Sequence, residues 1–231
     1  MGRTNKNGRR RRPLQTRRNT YSTPKSISEK YIYHLKKLYP LCKYDENKDF
    51  ELSTYSKHRV TYGEMTYEGI RALYKQVLSK TQDIRNFLDV GSGRGKLCLY
   101  MAEVPTIMSS VGVELVKSRF DDAETMKSAL SKKYPTFVNK VLFKNEDFLQ
   151  LTLDSLFDTK EKTFVWFSNL CFNPEITTTI FEKLANELSS GSIICCSNIP
   201  DKEIDGLTQI DTVMIPMSWS QSSSVKMFKI V

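Results

Sequence analysis

Hydrophobic and polar positions along the chain follow two alternating periods. Short apolar runs predict buried strands at residues 86–90, 110–113, 141–143, 162–167 and 192–197. Apolar residues at helical spacing predict amphipathic helices at residues 70–78, 116–133 and 176–188. Residues 208–219 and 224–231 predict a terminal antiparallel pair. Strands that alternate with helices and end in such a pair predict an α/β fold with a doubly wound, mixed and mostly parallel sheet.

The chain before this sheet divides into two predicted segments. Residues 1–25 have no apolar periodicity, which predicts a disordered basic arm. Ser26 to Glu29 fits a capping box, and the helix that it opens ends at Pro40. We therefore expect a small helical N-terminal region over residues 26–80 and an α/β domain over residues 81–231.

The excess positive charge is concentrated at the N-terminus. The 231 residues carry a formal net charge of +9, and residues 1–30 alone hold ten Lys or Arg against one acid. Clustered, flexible cations neutralise phosphates, so the arm predicts a nucleic-acid-binding segment, a nuclear-localisation signal or both. The alternative is a solvated tail without a partner. The candidate nucleic-acid-binding residues are Arg9, Arg10, Arg11, Arg12, Arg17 and Arg18.

The remaining composition argues against several protein classes. No apolar run approaches the roughly 18 residues of a membrane span, and no apolar region follows the N-terminal charges, so we expect a soluble, unsecreted protein. The five cysteines lack C-x-x-C spacing, which predicts reduced apolar fillers. His34 and His58 have no neighbouring cluster of ligand-type residues, so we expect no metal site.

The glycine cluster after the first predicted strand indicates a cofactor site. Small residues let the backbone approach a ligand, and the following helix directs N–H groups at it. Gly91, Gly93 and Gly95 have the spacing G-x-G-x-G, which differs from the G-x-G-x-x-G of dinucleotide sites. The carboxylate of Asp89, just before them, would repel a pyrophosphate but pair with an amine. The pattern favours S-adenosylmethionine, which carries an ammonium, a sulfonium and no phosphate.

Two further carboxylates follow the next two predicted strands. Glu114 ends the second strand, where it could accept hydrogen bonds from both ribose hydroxyls. Asp147 and Phe148 follow the third strand, where the carboxylate could accept from the adenine amine and the ring could stack on the base. The alternative is that these acids only cap helices.

Two polar turns are candidates for the reacting region. Ligands of open α/β sheets bind outside the carboxyl ends of the strands, so Asn169, after the fourth strand, should lie beside the donor methyl group. Its amide could orient an incoming amine, although Asn-Pro at this turn is also typical of a helix start. The Tyr-Gly-Glu turn at residues 62–64 is either a helix start or a lid over the cofactor.

With these residues in place, the sequence resembles the disruptor-of-telomeric-silencing family of histone lysine methyltransferases over roughly residues 55–225. The glycine turn is shared by many methyltransferases, whereas the Tyr-Gly-Glu turn, Asn-x-x-Phe-x-Pro and a late Ser-Trp are more specific. The matched motifs are Tyr62-Gly63-Glu64, residues 89–96, Gly112-Val113-Glu114, Asp147-Phe148, residues 168–174 and Ser218-Trp219. The resemblance implies a Rossmann-like class I methyltransferase fold.

The resemblance also implies roles for the matched residues. Residues 62–65, the lid loop, would close over S-adenosylmethionine, and Asn169 and Trp219 would line a narrow channel for the target lysine. The implied catalytic residues are Asn169, Trp219 and Tyr62. The implied cofactor-binding residues are Tyr62, Gly63, Glu64, Met65, Asp89, Gly91, Gly93, Lys96, Glu114, Asp147, Phe148 and Asn169.

The implied reaction is transfer of methyl groups to a lysine in the globular core of histone H3 on nucleosomes. The implied partners are histone H3 and nucleosomal DNA, the implied location is the nucleus, and we expect a monomer. Two alternatives stay open. One is an RNA methyltransferase with a basic arm, and the other is a non-catalytic chromatin-binding protein that keeps the methyltransferase fold.

Five positions depart from the family pattern. Lys96 stands where a glutamine is usual, Met65 where some members have threonine, and Leu170 where an aromatic residue is usual. Ser168 replaces the first of two asparagines. Lys226 stands where an aromatic wall of the lysine channel is expected.

Overall fold

The structure is a computed structural model that describes residues 26–39 and 63–231. The predicted basic arm, Tyr62 and His58 lie outside the described residues, so the predictions made for them are not addressed by the fold.

The described elements alternate between strands and helices from β1 to β5. The helices are α1 (Ile27–Leu38), α2 (Tyr67–Lys80), α3 (Lys96–Met101), α4 (Lys117–Ser131), α5 (Pro135–Val138) and α6 (Pro174–Glu187). The strands are β1 (Asn86–Val90), β2 (Ser109–Val113), β3 (Val141–Lys144), β4 (Thr163–Phe167), β5 (Ile193–Cys196), β6 (Leu207–Ile215) and β7 (Ser223–Ile230). Two short 3-10 helices, Phe148–Gln150 and Leu153–Ser155, follow β3.

Within the described residues, seven strands form one sheet in the order β3-β2-β1-β4-β5-β7-β6. Strands β1 to β5 are parallel, and β7 runs antiparallel between β5 and β6. The predicted mixed sheet with an antiparallel C-terminal pair is confirmed. Its strand order reverses between β1 and β4, which is where open α/β sheets bind ligands.

Burial on both faces explains why β1, β4 and β5 are mostly apolar, with Asn86, Asp89 and Thr163 as buried polar exceptions. All residues of these three strands are buried. Successive side chains point to opposite faces, so Phe87 packs into one core cluster while Leu88 and Val90 pack into the other. The helices cover both faces, as a parallel sheet requires.

Helix α1 packs along α3, behind the glycine turn. It begins with the predicted capping box, in which Ser26 and Glu29 cap each other's backbone N–H. The buried Tyr31 hydroxyl donates to Leu99 O at 2.6 Å, and the Tyr39 hydroxyl donates to Arg94 O at 2.5 Å. Helix α1 therefore supports the turn from outside the sheet.

The described cysteines are free thiols. Cys98, Cys195 and Cys196 are buried, and burial raises the pKa of each thiol, which suppresses the reactive thiolate. In residues 26–39 and 63–231, no three His, Cys, Asp or Glu side chains cluster tightly enough to hold a metal ion. No helix in the same ranges combines the length and apolar character needed to cross a bilayer.

Candidate functional site

The sheet order brings most of the predicted site residues to one edge of the sheet. The carboxyl ends of β3, β2, β1 and β4 lie side by side, about 5 Å apart from strand to strand. A cavity of about 360 Å³ opens along this edge. The predicted residues in its wall are Gly63, Glu64, Met65, Asp89, Gly91, Gly93, Lys96, Glu114, Asp147, Phe148 and Trp219.

The glycine turn after β1 packs directly on β2. Gly91 N and Ser92 N donate to Val113 O at 2.9 and 3.0 Å. Gly95 has a left-handed φ of 73°, and a Cβ at this position would lie 2.3 Å from Phe143 Cζ. A side chain at Gly95 would therefore strain the backbone and displace the Phe143 ring.

Glu114 joins the glycine turn to the loop after β2. Its Oε2 accepts from Gly93 N at 2.7 Å, and its Oε1 accepts from Val116 N at 2.8 Å. Burial raises the pKa of this carboxyl, while the hydrogen bond from Val116, the Arg119 guanidinium and the hydrogen bond from Gly93 oppose the rise. Each carboxylate oxygen can accept a second hydrogen bond, so Glu114 could still bind a ligand hydroxyl.

Asp89 is a buried carboxyl at the centre of the sheet. It lies in β1 between Gly112 of β2 and Trp166 of β4, and its side chain lines the cavity. Burial, with a smaller contribution from the negative charge of Glu114, raises the pKa of Asp89 well above its ordinary value. A cationic ligand group would favour the charged carboxylate and reverse part of this shift.

Asp147 and Phe148 line the cavity beyond β3. Asp147 is exposed, and its Oδ1 accepts from Leu149 N at 3.0 Å, so it caps a 3-10 helix. Phe148 is buried against the core. The capping role that was the alternative for Asp147 is therefore present, and the same residue also borders the cavity.

The described part of the lid loop is bound to the segment between β6 and β7. Glu64 N donates to Ser218 Oγ at 3.0 Å, and Ser218 N donates to Glu64 O at 2.8 Å. Met65 and Met217 pair as an isolated antiparallel bridge. The Trp219 ring lies so close to Gly63 that a Cβ there would be 2.3 Å from Cζ3. Trp219 therefore covers the lid loop.

Lys96 and Glu64 form an ion pair in the cavity wall. Lys96 Nζ lies 2.8 Å from Glu64 Oε2, and the two side chains are 14% and 23% exposed. The Lys96 ammonium also lies 4.9 Å from the centre of the Tyr67 ring and 5.8 Å from that of the Tyr39 ring. Helix α3 thus contacts the lid loop through its first residue.

Asn169 bonds two neighbouring loops at the carboxyl edge of the sheet. It is fully buried, and the described cavity wall does not include it. Its Nδ2 donates to Asn198 O at 2.8 Å, and its Oδ1 accepts from Ser197 N at 3.0 Å and Asn198 N at 2.8 Å. The amide therefore joins the loop after β4 to the loop after β5, and it does not face the cavity in this structure.

Ser168, the residue before Asn169, lines the cavity. It follows the last residue of β4 directly, and Leu170, Cys171 and Phe172 of the same loop also line the cavity. The sequence signal for Ser168 is its place at the carboxyl end of a buried strand, where open α/β sheets bind ligands.

One part of the cavity's solvent-exposed rim, here called the mouth, is apolar, while Glu146 and Asp147 are exposed elsewhere in the wall. Leu170 and Trp219 line the cavity and are 49% and 46% exposed, and Cys171 and Phe172 also line it. Lys226 is outside the described wall, because its Nζ donates to Ser197 O at 2.7 Å. The aromatic wall expected at Lys226 is therefore absent from the described mouth.

One family matches most of the chain. The family described as histone methylation protein DOT1 matches residues 46–226. A search of curated protein sequences found no significant match.

Solved methyltransferase structures have a similar fold. The magnesium protoporphyrin IX methyltransferase of Synechocystis PCC 6803, with bound SAM, is 13% identical with a TM-score of 0.51, covering 70% of this chain and 78% of that one. An rRNA methylase from Streptococcus thermophilus is 12% identical with a TM-score of 0.51, and the match covers 72% of this chain and 99% of that one. These similarities establish the Rossmann-like methyltransferase fold.

Replacing Asp89 by asparagine should stabilise the protein without ligand at neutral pH. Burial raises the pKa of Asp89 in the folded state above its value in the unfolded state. The protonated carboxyl therefore contributes fully to the unfolding free energy below the unfolded-state pKa, and this contribution is lost as pH rises through the folded-state pKa, because the buried carboxyl then ionises. Urea unfolding at several pH values should give Asp89→Asn a gain in unfolding free energy that grows as pH rises from acid to neutral. A variant that is less stable than the wild type at neutral pH would contradict this interpretation.

Gly63→Ala should displace Trp219. The new Cβ would overlap the ring, so we expect a loss of about 1–3 kcal/mol in unfolding free energy, as for other overpacked sites. A double-mutant cycle checks the cause. In the Trp219→Ala background, the same substitution should cost less than about 0.5 kcal/mol. An equal cost in both backgrounds would place the effect in the backbone rather than in the contact with Trp219.

Proposed function

Because the chain belongs to the DOT1 family of histone methylation proteins, we propose that it methylates a lysine in the globular core of histone H3 on nucleosomes. The methyl donor would be S-adenosylmethionine. The observation that carries the proposal is a single cavity that joins acidic strand ends to an apolar, partly exposed mouth.

The hydrogen-bond acceptors in the cavity wall fit S-adenosylmethionine, which is a nucleoside joined to an amino acid. Glu114 could accept from the ribose hydroxyls, and Asp147 with Phe148 could bind the adenine. The buried Ser92 Oγ lines the cavity and has no hydrogen-bond partner among the described residues, so it too could meet a ligand. The glycine turn leaves room for a ligand against its backbone.

The chemistry supplied by bound S-adenosylmethionine is an electrophilic methyl group on a sulfonium. The protein would position an uncharged lysine amine against it, because a protonated amine has no lone pair for attack. A lysine in water has a pKa of about 10.4 and is charged. Desolvation between Leu170 and Trp219 would favour the neutral amine. Correct positioning can lower such a barrier by roughly 7–11 kcal/mol.

Ser168 is the polar residue of this chain that we place beside the incoming amine. It lines the cavity directly after β4, as Trp166 does near the end of that strand. A hydroxyl oxygen can accept a hydrogen bond from the amine without adding charge. Asn169 would act indirectly, because its three hydrogen bonds hold the backbone that carries Ser168.

The basic arm supports a nucleosomal substrate in the nucleus. Its arginines would contact DNA phosphates without reading sequence and so raise the local concentration of the protein at the histone surface. The folded part would then need to recognise only the histone.

The proposal is tested by transfer of radiolabelled methyl groups to reconstituted nucleosomes, free core histones and total RNA. We expect label on histone H3 of nucleosomes, and a fall of about 100-fold in kcat/KM for Trp219→Ala as the lysine loses its position. Met214→Ala, an exposed apolar residue on β6 outside the described cavity wall, is the matched control and should retain activity.

Other labelling patterns would overturn the proposal. Label on RNA alone would favour the RNA methyltransferase alternative. Binding of S-adenosylmethionine without labelling of any of the three substrates would favour a non-catalytic chromatin-binding protein.

Replacing the six arginines of the arm by glutamine should weaken nucleosome binding in a salt-dependent way. The residues are Arg9, Arg10, Arg11, Arg12, Arg17 and Arg18. Each lost phosphate contact should reduce the slope of log affinity against log salt by about 0.9. The matched control with six lysines should keep the slope, and S-adenosylmethionine affinity should be the same in all three proteins. Loss of cofactor affinity in the glutamine variant would instead make the arm part of the fold.

A further inference from the structure

The Lys226 side chain joins β7 to the loop after β5. Its Nζ donates to Ser197 O at 2.7 Å, and Ser197 directly follows the last residue of β5. Lys226 pairs with Cys196 in the sheet, so its ammonium lies at the carboxyl end of β5. A hydrogen bond from a charged donor is roughly twice as strong as one between neutral groups, so this contact restrains the loop.

The loop that Lys226 holds is bonded to the loop after β4 by two asparagines. Asn169 Oδ1 accepts from Ser197 N at 3.0 Å and from Asn198 N at 2.8 Å, and its Nδ2 donates to Asn198 O at 2.8 Å. Asn198 Nδ2 donates in return to Asn169 O at 3.2 Å. These bonds fix the two loops to each other, and the residue before Asn169 is Ser168, in the cavity wall.

Burial makes the contact with Lys226 costly to lose. Asn169 is fully buried, and Ser197 is only 6% exposed. A buried carbonyl that loses its donor must find another, so without the lysine the loop should move until Ser197 O meets water. Because Asn169 is bonded to that loop, the movement would be passed to Ser168.

We propose that Lys226 is a positioning residue for methyl transfer, which holds Ser168 at the acceptor side of the cavity through Ser197 and Asn169. The inference rests on the proposed function, because it concerns the residue that we place beside the incoming amine. Lys226 is outside the described cavity wall, so its effect on the reaction passes through the two loops. This role differs from the aromatic wall that the family pattern predicts at position 226.

The first test is steady-state methylation of nucleosomes by Lys226→Met, which keeps the side-chain length and removes the donor. We expect kcat per S-adenosylmethionine-binding site to fall by about tenfold or more, as for a displaced reacting group. The KM and Kd for S-adenosylmethionine should be unchanged, because the glycine turn and Glu114 follow other strands. Lys226→Arg keeps a charged donor and should restore most of the kcat.

The matched control is Lys229→Met, which removes the same charge from the same strand. Lys229 pairs with Ile193 at the start of β5, so it lies toward the sheet edge opposite the cavity. This variant should keep the wild-type kcat and KM. Expressing kcat per binding site removes the effect of any unfolded protein, so a loss of stability alone would not lower it.

Hydrogen exchange tests the route without a methyl acceptor. The amides of Ser197 and Asn198 donate to Asn169, so their protection reports whether the loops stay joined. In Lys226→Met we expect both amides to exchange faster by about tenfold or more, the contribution typical of a hydrogen bond to a charged group. The Gly93 amide, which donates to Glu114, should keep its wild-type rate.

Wild-type exchange rates at Ser197 and Asn198 in Lys226→Met, or a wild-type kcat, would overturn the inference. A loss of kcat that Lys226→Arg did not restore, with an equal loss of cofactor affinity, would also overturn it and make Lys226 a residue of general stability. If the wild type methylated no substrate, the proposed function would be contradicted, and the exchange rates would still show whether Lys226 holds the loops.

Discussion

The hydrogen bonds of Glu114 are the interaction on which the cavity at the sheet edge depends. One carboxylate, buried at the edge of the sheet, accepts from Gly93 in the turn after β1 and from Val116 in the loop after β2. Burying a charge is costly unless it is hydrogen-bonded, and the two N–H donors offset that cost. The same bonds hold two neighbouring strand ends at a fixed spacing, so the wall of the cavity is set before any ligand enters.

Much of the fold could be predicted from the sequence because burial acts on each element separately. Strands β1, β4 and β5 are buried on both faces, which produces mostly apolar runs, and α6 begins at an Asn-Pro pair that caps it. Parallel strands also end at one edge of the sheet, so acids at strand ends could be expected to meet. The family match over residues 46–226 agrees with these patterns.

Contacts between distant loops could not be predicted in the same way. The ion pair of Glu64 with Lys96 and the bridge of Met65 with Met217 depend on how loops cross the sheet edge, which local periodicity does not encode. Ser168 and Asn169 are neighbouring polar residues of the loop after β4, yet their surroundings differ. Ser168 lines the cavity and Asn169 bonds to the loop after β5, a difference set by the loop conformation rather than by a sequence period.

The lid loop and the cavity mouth are parts of one contact region. Ser218 exchanges two hydrogen bonds with Glu64, and Trp219 covers Gly63, so the segment between β6 and β7 both binds residues 63–65 and places the Trp219 ring at the cavity mouth. Closing contacts between segments this far apart in sequence costs chain entropy. The segment is already held near its place, because β6 and β7 pair with each other and β7 pairs with β5. The mouth therefore takes its shape only when the antiparallel pair has joined the sheet.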